Sequence, residues 1–152
     1  MTTATATKQE VSVLLNQQVA NFSILFVKLH HYHWFVKGTS FFKLHETFEA
    51  YYDEAAQVID DLAERILTIG GKPQSRMSEY LQTTTLQEAS GNEQAAQMVQ
   101  QVKADFEQIV QELGESRIQA EDAGDQVSGD MLLGIQESLE KHIWMLHSFL
   151  SE

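Results

Sequence analysis

The chain has 152 residues, one proline, no cysteine and a formal net charge of -12, with 43% hydrophobic and 21% charged residues. It is long enough for one sizeable core, its composition is globular rather than disordered, and it lacks the thiols for a disulfide framework or a thiolate metal site. The negative balance argues against general attraction to phosphate backbones and suits cations as ligands, although a solvated acidic surface looks the same at this level.

Residues 1–10, Met-Thr-Thr-Ala-Thr-Ala-Thr-Lys-Gln-Glu, carry no apolar run of the signal-peptide kind and read as a flexible tail ahead of a single helical domain over 11–150. No apolar run reaches the ~20 residues of a membrane span, so a soluble, cytoplasmic protein with no membrane partner is expected. A first helix is predicted from Lys8 to Val36, with Val11, Leu15, Val19, Phe22, Leu25 and Leu29 at helical spacing. Gly38-Thr39-Ser40 stops it and begins a second helix, which runs to Ile69 and ends at Gly70-Gly71-Lys72-Pro73. The stretch from Ser75 to Ser90 is too long for an empty bundle loop and predicts a short helix around Ser78–Leu81. A third long helix starts near Asn92 and breaks near Gly124, and a fourth covers Val127 to Leu150. Gly114 and Gly134 lie inside these patterns, where they weaken helix propensity or permit close packing. Two helical hairpins joined by a long crossover make an all-α four-helix bundle with a short extra helix between helices 2 and 3, the connectivity of ferritin-like folds.

Five metal-capable side chains stand out: His33 in His-His-Tyr-His-Trp, His45 and Glu49 in His-Glu-Thr-Phe-Glu, and Asp60 and Glu64 in Asp-Asp-Leu-Ala-Glu. Imidazole and carboxylate donors without a thiolate suit iron, manganese or zinc. Within helix 2, at about 100° per residue, His45, Glu49, Asp60 and Glu64 fall within about 100° of arc, beside the apolar face and not opposite it. Glu49 and Asp60 are about 16 Å apart along the axis, whereas donors to one ion converge to about 2 Å from it. Both pairs therefore cannot hold one ion inside one chain. If all five are ligands, two chains meet antiparallel across a two-fold axis, giving two equivalent sites per dimer; the arithmetic leaves open which pair His33 joins. Taken singly, His30, His31 and His33 also have a helix-dipole reason to sit at a helix C-terminus. Trp34 and Trp144 are expected in the core or at an interface. His142 and His147 lack a carboxylate at metal spacing and read as structural. Glu121, Asp122, Asp125 and Asp130 form a turn before the last helix, solvated by default or a route for cations if copies assemble there.

The segments Leu-His-His-Tyr-His-Trp-Phe-Val-Lys-Gly, Phe-Phe-Lys-Leu-His-Glu and Ile-Asp-Asp-Leu-Ala-Glu-Arg-Ile-Leu-Thr-Ile-Gly-Gly-Lys-Pro, in this order and separation, resemble the Dps family, the miniferritins. The likeness runs from about Leu14 to Leu150. It implies a dodecameric hollow shell with two-metal ferroxidase centres at two-fold interfaces, where His33, His45 and Glu49 of one subunit face Asp60 and Glu64 of its neighbour. It further implies oxidation of Fe(II), typically by hydrogen peroxide, storage of the ferric mineral and protection from oxidative damage, with Trp34 as the aromatic residue beside the centre. Many relatives carry Asp where this chain has Glu49. Glu121, Asp125 and Asp130 match pore positions, with Gln126 replacing an acid found in some relatives, and Glu46 matches a place for mineral nucleation. The alternative within the family is a nucleoid-compacting, DNA-binding protein with a secondary metal site. Lys8 is the only basic residue before Glu10, and the chain ends Ser151-Glu152, so no strong direct DNA binding is expected.

Overall fold

In the computed structural model, which describes residues 7–151, Thr7 opens α1 (Lys8–Phe35) by accepting a hydrogen bond from the Glu10 N–H at 3.2 Å. This cap satisfies a backbone donor that helix geometry leaves unpaired. The helix starts at Lys8, as its apolar spacing predicts, so residues 8–10 of the expected tail form its first turn, while residues 1–6 lie outside the described part. The other elements are α2 (Phe41–Thr68), α3 (Met77–Thr83), α4 (Ala95–Asp122) and α5 (Gln126–Leu150).

The stops are those the glycines predict. Gly70 has φ +88° and Gly71 N–H reaches back to the Ile66 carbonyl at 2.8 Å, a left-handed terminus that closes α2. Gly124, φ +78°, closes α4 in the same way through Asp125 N–H to Ala120. Helix α4 begins at Ala95, later than the expected Asn92, because the Glu93 carboxylate takes the N–H groups of Ser90 and Gly91 and folds them into a turn.

Cross-helix pairs give the topology. Gln18 meets Glu112 and Lys28 meets Asp105, so α1 and α4 run antiparallel. Glu54 meets His142 and Arg65 meets Asp125, so α2 and α5 do too. Two antiparallel hairpins joined by the long crossover that carries α3 form the predicted four-helix bundle, around a core that includes Leu25, Leu29, Phe48, Leu62, Ile109 and Leu139. Gly114 and Gly134 have nothing within 4 Å of a Cβ built on them, so neither serves close packing within the chain.

Helix α1 buries polar groups as well, and these anchor the crossover. Asn21 is fully buried: its Oδ1 accepts from Thr84 Oγ1 and Thr85 N–H, and its Nδ2 donates to Glu112. One turn from the helix end, the buried Tyr32 donates its O–H to Glu93 at 2.7 Å. Partial burial alone would raise the Glu93 carboxyl, but the bonds from Tyr32 and the Ser90 backbone outweigh it and hold it at about 2. A depressed carboxyl stabilises the fold fully above its unfolded value of 4.5 and loses that contribution as pH falls toward 2. Tyr32→Phe is expected to cost about 1.5–3 kcal/mol at neutral pH, and urea melts of the variant and wild type should converge as pH is lowered through this window.

Candidate metal centre

The C-terminal turn of α1 and the first turns of α2 are tied to each other by two histidines. His33 Nδ1 lies 2.7 Å from the His45 carbonyl, and His45 Nδ1 lies 2.7 Å from the His33 carbonyl. A carbonyl can only accept, so each Nδ1 carries the proton and donates it. The rings stack at 3.7 Å with 14° between planes. In the neutral ring these bonds select the tautomer whose Nε2 lone pair is free, the form that a metal takes. His33 Nε2 stands 3.8 Å from Glu49 Oε1; His33 is 7% exposed, while the Glu49 side chain is 53% exposed. The question that spacing left open thus has an answer in the single chain: His33 groups with His45 and Glu49.

Asp60 and Glu64 form a separate exposed pair farther along α2. The hydrogen bond with Asp60, and then the charge of that carboxylate, push the Glu64 carboxyl above its ordinary range. A cation between two carboxylates placed this close would offset their mutual repulsion. Among the described residues of one chain, no group of three or more His, Asp or Glu closes around a single point.

Trp34 is 66% exposed. Its ring meets His30 at 5.3 Å, His30 stacks on Tyr52 at 3.7 Å, and Tyr52 stands edge-on to His33 at 5.4 Å. Trp34 therefore touches the cluster only through an aromatic chain. His30 donates its Nδ1 proton to the Phe26 carbonyl at 2.7 Å, a structural role. Trp144 is 65% exposed; neither tryptophan is in the chain's core, which leaves an interface as the expected place for both.

Two other residues have partners that sequence spacing does not show. His142 does have a carboxylate: Glu54 of α2 lies 2.9 Å from its Nε2, a partner 88 residues away that helical spacing could not reveal. Asp125 is engaged within the chain, as expected of an acid at a helix N-terminus. It caps α5 by accepting from Ser128 N–H and pairs with Arg65 at 2.8 Å. Burial by itself would raise the Asp125 carboxyl, but the bonds from Ser128 and Arg65 hold it below its ordinary range. Glu121 pairs with Arg117 at 3.2 Å, which leaves Asp130 the least committed of the three matched acids.

Comparison with known proteins places this arrangement in a family. A model of the ferritin-like domain matches residues 13–152. General stress protein 20U of Bacillus subtilis is 53% identical over 136 residues, covering 90% of this chain and 94% of that one. DNA protection during starvation protein 2 of Bacillus anthracis is 49% identical over 144 residues, covering 95% and 99%. The crystal structure of Dps from Staphylococcus aureus superposes with a TM-score of 0.96 at 46% identity, covering 97% of this chain and 99% of that one. With the histidine clasp, the carboxylate pair and the crossover bundle all present, the chain belongs to the Dps family of ferritin-like proteins.

Proposed function

We propose that this protein is a ferroxidase and iron store: it oxidises Fe(II), by preference with hydrogen peroxide, at paired centres between subunits and keeps the ferric mineral inside a dodecameric shell in the cytoplasm. The observation that carries the reading is the half-site of His33, His45 and Glu49, with both Nδ1 atoms tied to backbone carbonyls so that both Nε2 atoms are left to face a ligand, and a second carboxylate pair out of reach on the same helix. A partner chain running antiparallel along α2 brings its Asp60 and Glu64 to this half-site.

Iron enters as substrate. Two imidazole nitrogens and three carboxylates make a donor set of borderline and hard character, which suits Fe(II) and favours the harder Fe(III) as the charge rises. Each of two Fe(II) gives up one electron, the O–O bond of the peroxide breaks, and two protons complete two molecules of water. The residues hold the two ions close enough for both electrons to reach one peroxide, so no hydroxyl radical is released. Iron bound at Asp60 and Glu64 offsets the repulsion that raises the Glu64 carboxyl. Trp34 stands beside the centre as an oxidisable aromatic and is not a ligand.

The test is anaerobic Fe(II) oxidation on adding hydrogen peroxide, in wild type and in a His33→Ala/Asp60→Ala variant, with assembly sized by light scattering. Wild type is expected to consume about two Fe(II) per peroxide, and the variant to lose ~100-fold or more in rate with its shell intact. Equal slow oxidation by two normal shells would overturn the proposal and favour the DNA-associated reading.

A further inference from the structure

The Glu54–His142 contact is unused by the proposed ferroxidase. Glu54 is on the face of α2 turned to α5, and His142 and Ser138 are one turn apart on α5. Ser138 donates its O–H to Glu54 Oε1 at 2.7 Å, which leaves Oε2 to His142 Nε2 at 2.9 Å. The imidazole is held in direction by Tyr51 and Phe106, with ring centroids at 4.6 Å and 5.9 Å. Burial alone would raise the Glu54 carboxyl, yet the bonds from His142 and Ser138 keep it below its ordinary range, so it stays ionised.

This is not a nucleophile relay. Serine and glutamate both approach the same nitrogen, Nε2, and Ser138 Oγ is 3.5 Å from it, whereas a relay needs the acid on Nδ1 and the hydroxyl on Nε2. One imidazole nitrogen and one carboxylate oxygen 2.9 Å apart also have the spacing of two donors about 2.1 Å from a metal ion at about a right angle. In the single chain the pair is reached by water: the His142 and Glu54 side chains are 21% and 35% exposed. Beside it runs a groove of about 250 Å³ lined by Glu54, Asp61, Met131, Gly134, Ile135 and Ser138. The groove has room for the waters that would complete a coordination sphere, and Asp61 adds negative charge to its wall.

We propose that Glu54 and His142, with Ser138 orienting the carboxylate, form a second divalent-cation site that takes a borderline ion such as Zn(II) or Co(II). The ion takes the place of the Nε2 proton, which passes to solvent from an imidazolium or moves to Nδ1 in the neutral ring, so that Nε2 coordinates as a neutral imidazole; Glu54 Oε2 becomes the second protein donor, and water fills the remaining positions. Ser138 keeps its bond to Oε1 and acts as a positioning residue. The site lies on the α5 side of α2 and is independent of the ferroxidase reading.

Zinc-soaked crystals of the intact protein, recorded at the zinc absorption edge, test it without any substitution. An anomalous peak about 2.0–2.2 Å from both His142 Nε2 and a Glu54 oxygen is expected; a featureless map at this pair under saturating zinc overturns the proposal. A Co(II) titration of His33→Ala/Asp60→Ala shells gives a second readout. The cobalt absorption remaining there should disappear on adding His142→Gln and should need ~10–100-fold more metal after Ser138→Ala. Cobalt absorption indifferent to both substitutions counts against the site.

Discussion

Co-expressing chains that carry His33→Ala/His45→Ala with chains that carry Asp60→Ala/Glu64→Ala should restore ferroxidase activity that neither chain has alone. In a mixed dimer, one centre collects all the defects and the other collects none. With random pairing, half the dimers are mixed and half their centres intact, so activity near a quarter of wild type is expected, roughly, from the two-fold symmetry. The separate assemblies should stay at the level of uncatalysed oxidation. Rates measured per chain, with the subunit ratio confirmed by mass spectrometry, decide it. Failure of the mixed shells to exceed the separate ones would place each centre within a single chain, against the axial distance along α2.

The largest stability effect is expected at Lys28. Its ammonium is buried 2.8 Å from Asp105 Oδ2 and donates to the Gln87 carbonyl at 2.9 Å. Burial raises the Asp105 carboxyl more than Lys28 lowers it, so the net shift is upward. Lys28→Met removes the only counter-charge that Asp105 has among the described residues and is expected to cost about 3–5 kcal/mol at neutral pH. The sign of the pH effect follows from the raised acid: the folded chain holds that proton more tightly than the unfolded one, so the penalty grows as pH rises from 3.8 through the folded value. Thermal or urea denaturation should show the deficit shrinking in acid. Lys28→Met/Asp105→Leu should recover most of the loss, because an apolar pair needs no counter-ion; a double variant no better than the single one would mean that packing, not charge, dominates there.

The bundle was legible because its signals are local. Apolar residues at helical spacing and glycines at Gly70 and Gly124 depend only on near neighbours, and the structure keeps the predicted order of elements with shifts of a few residues at their ends. The expectation that two pairs on α2 are too far apart for one ion was also local arithmetic. What spacing could not supply was contact between distant segments. Nothing in the sequence around His33 says that its ring lies on that of His45, and nothing around His142 points to Glu54. Asp125 shows the converse: an acid in an acidic turn looks free until Arg65, 60 residues earlier, is seen to hold it. Trp34 and Trp144 were ambiguous between core and interface for a similar reason, since an apolar side chain does not announce which partner covers it.

The crossed hydrogen bonds between His33 and His45 also make the segment between them a ruler. Each ring must reach the other residue's backbone, so the hairpin turn has to return the chain to the same point after 12 residues. A change of length in Val36–Ser40 that shifted the register of α2 would turn His45 by about 100° for each residue of shift and break both bonds at once. Substitutions there that keep the length and the left-handed Gly38, φ +112°, would leave the clasp intact. Evolution can therefore rewrite the letters of this turn but not its count.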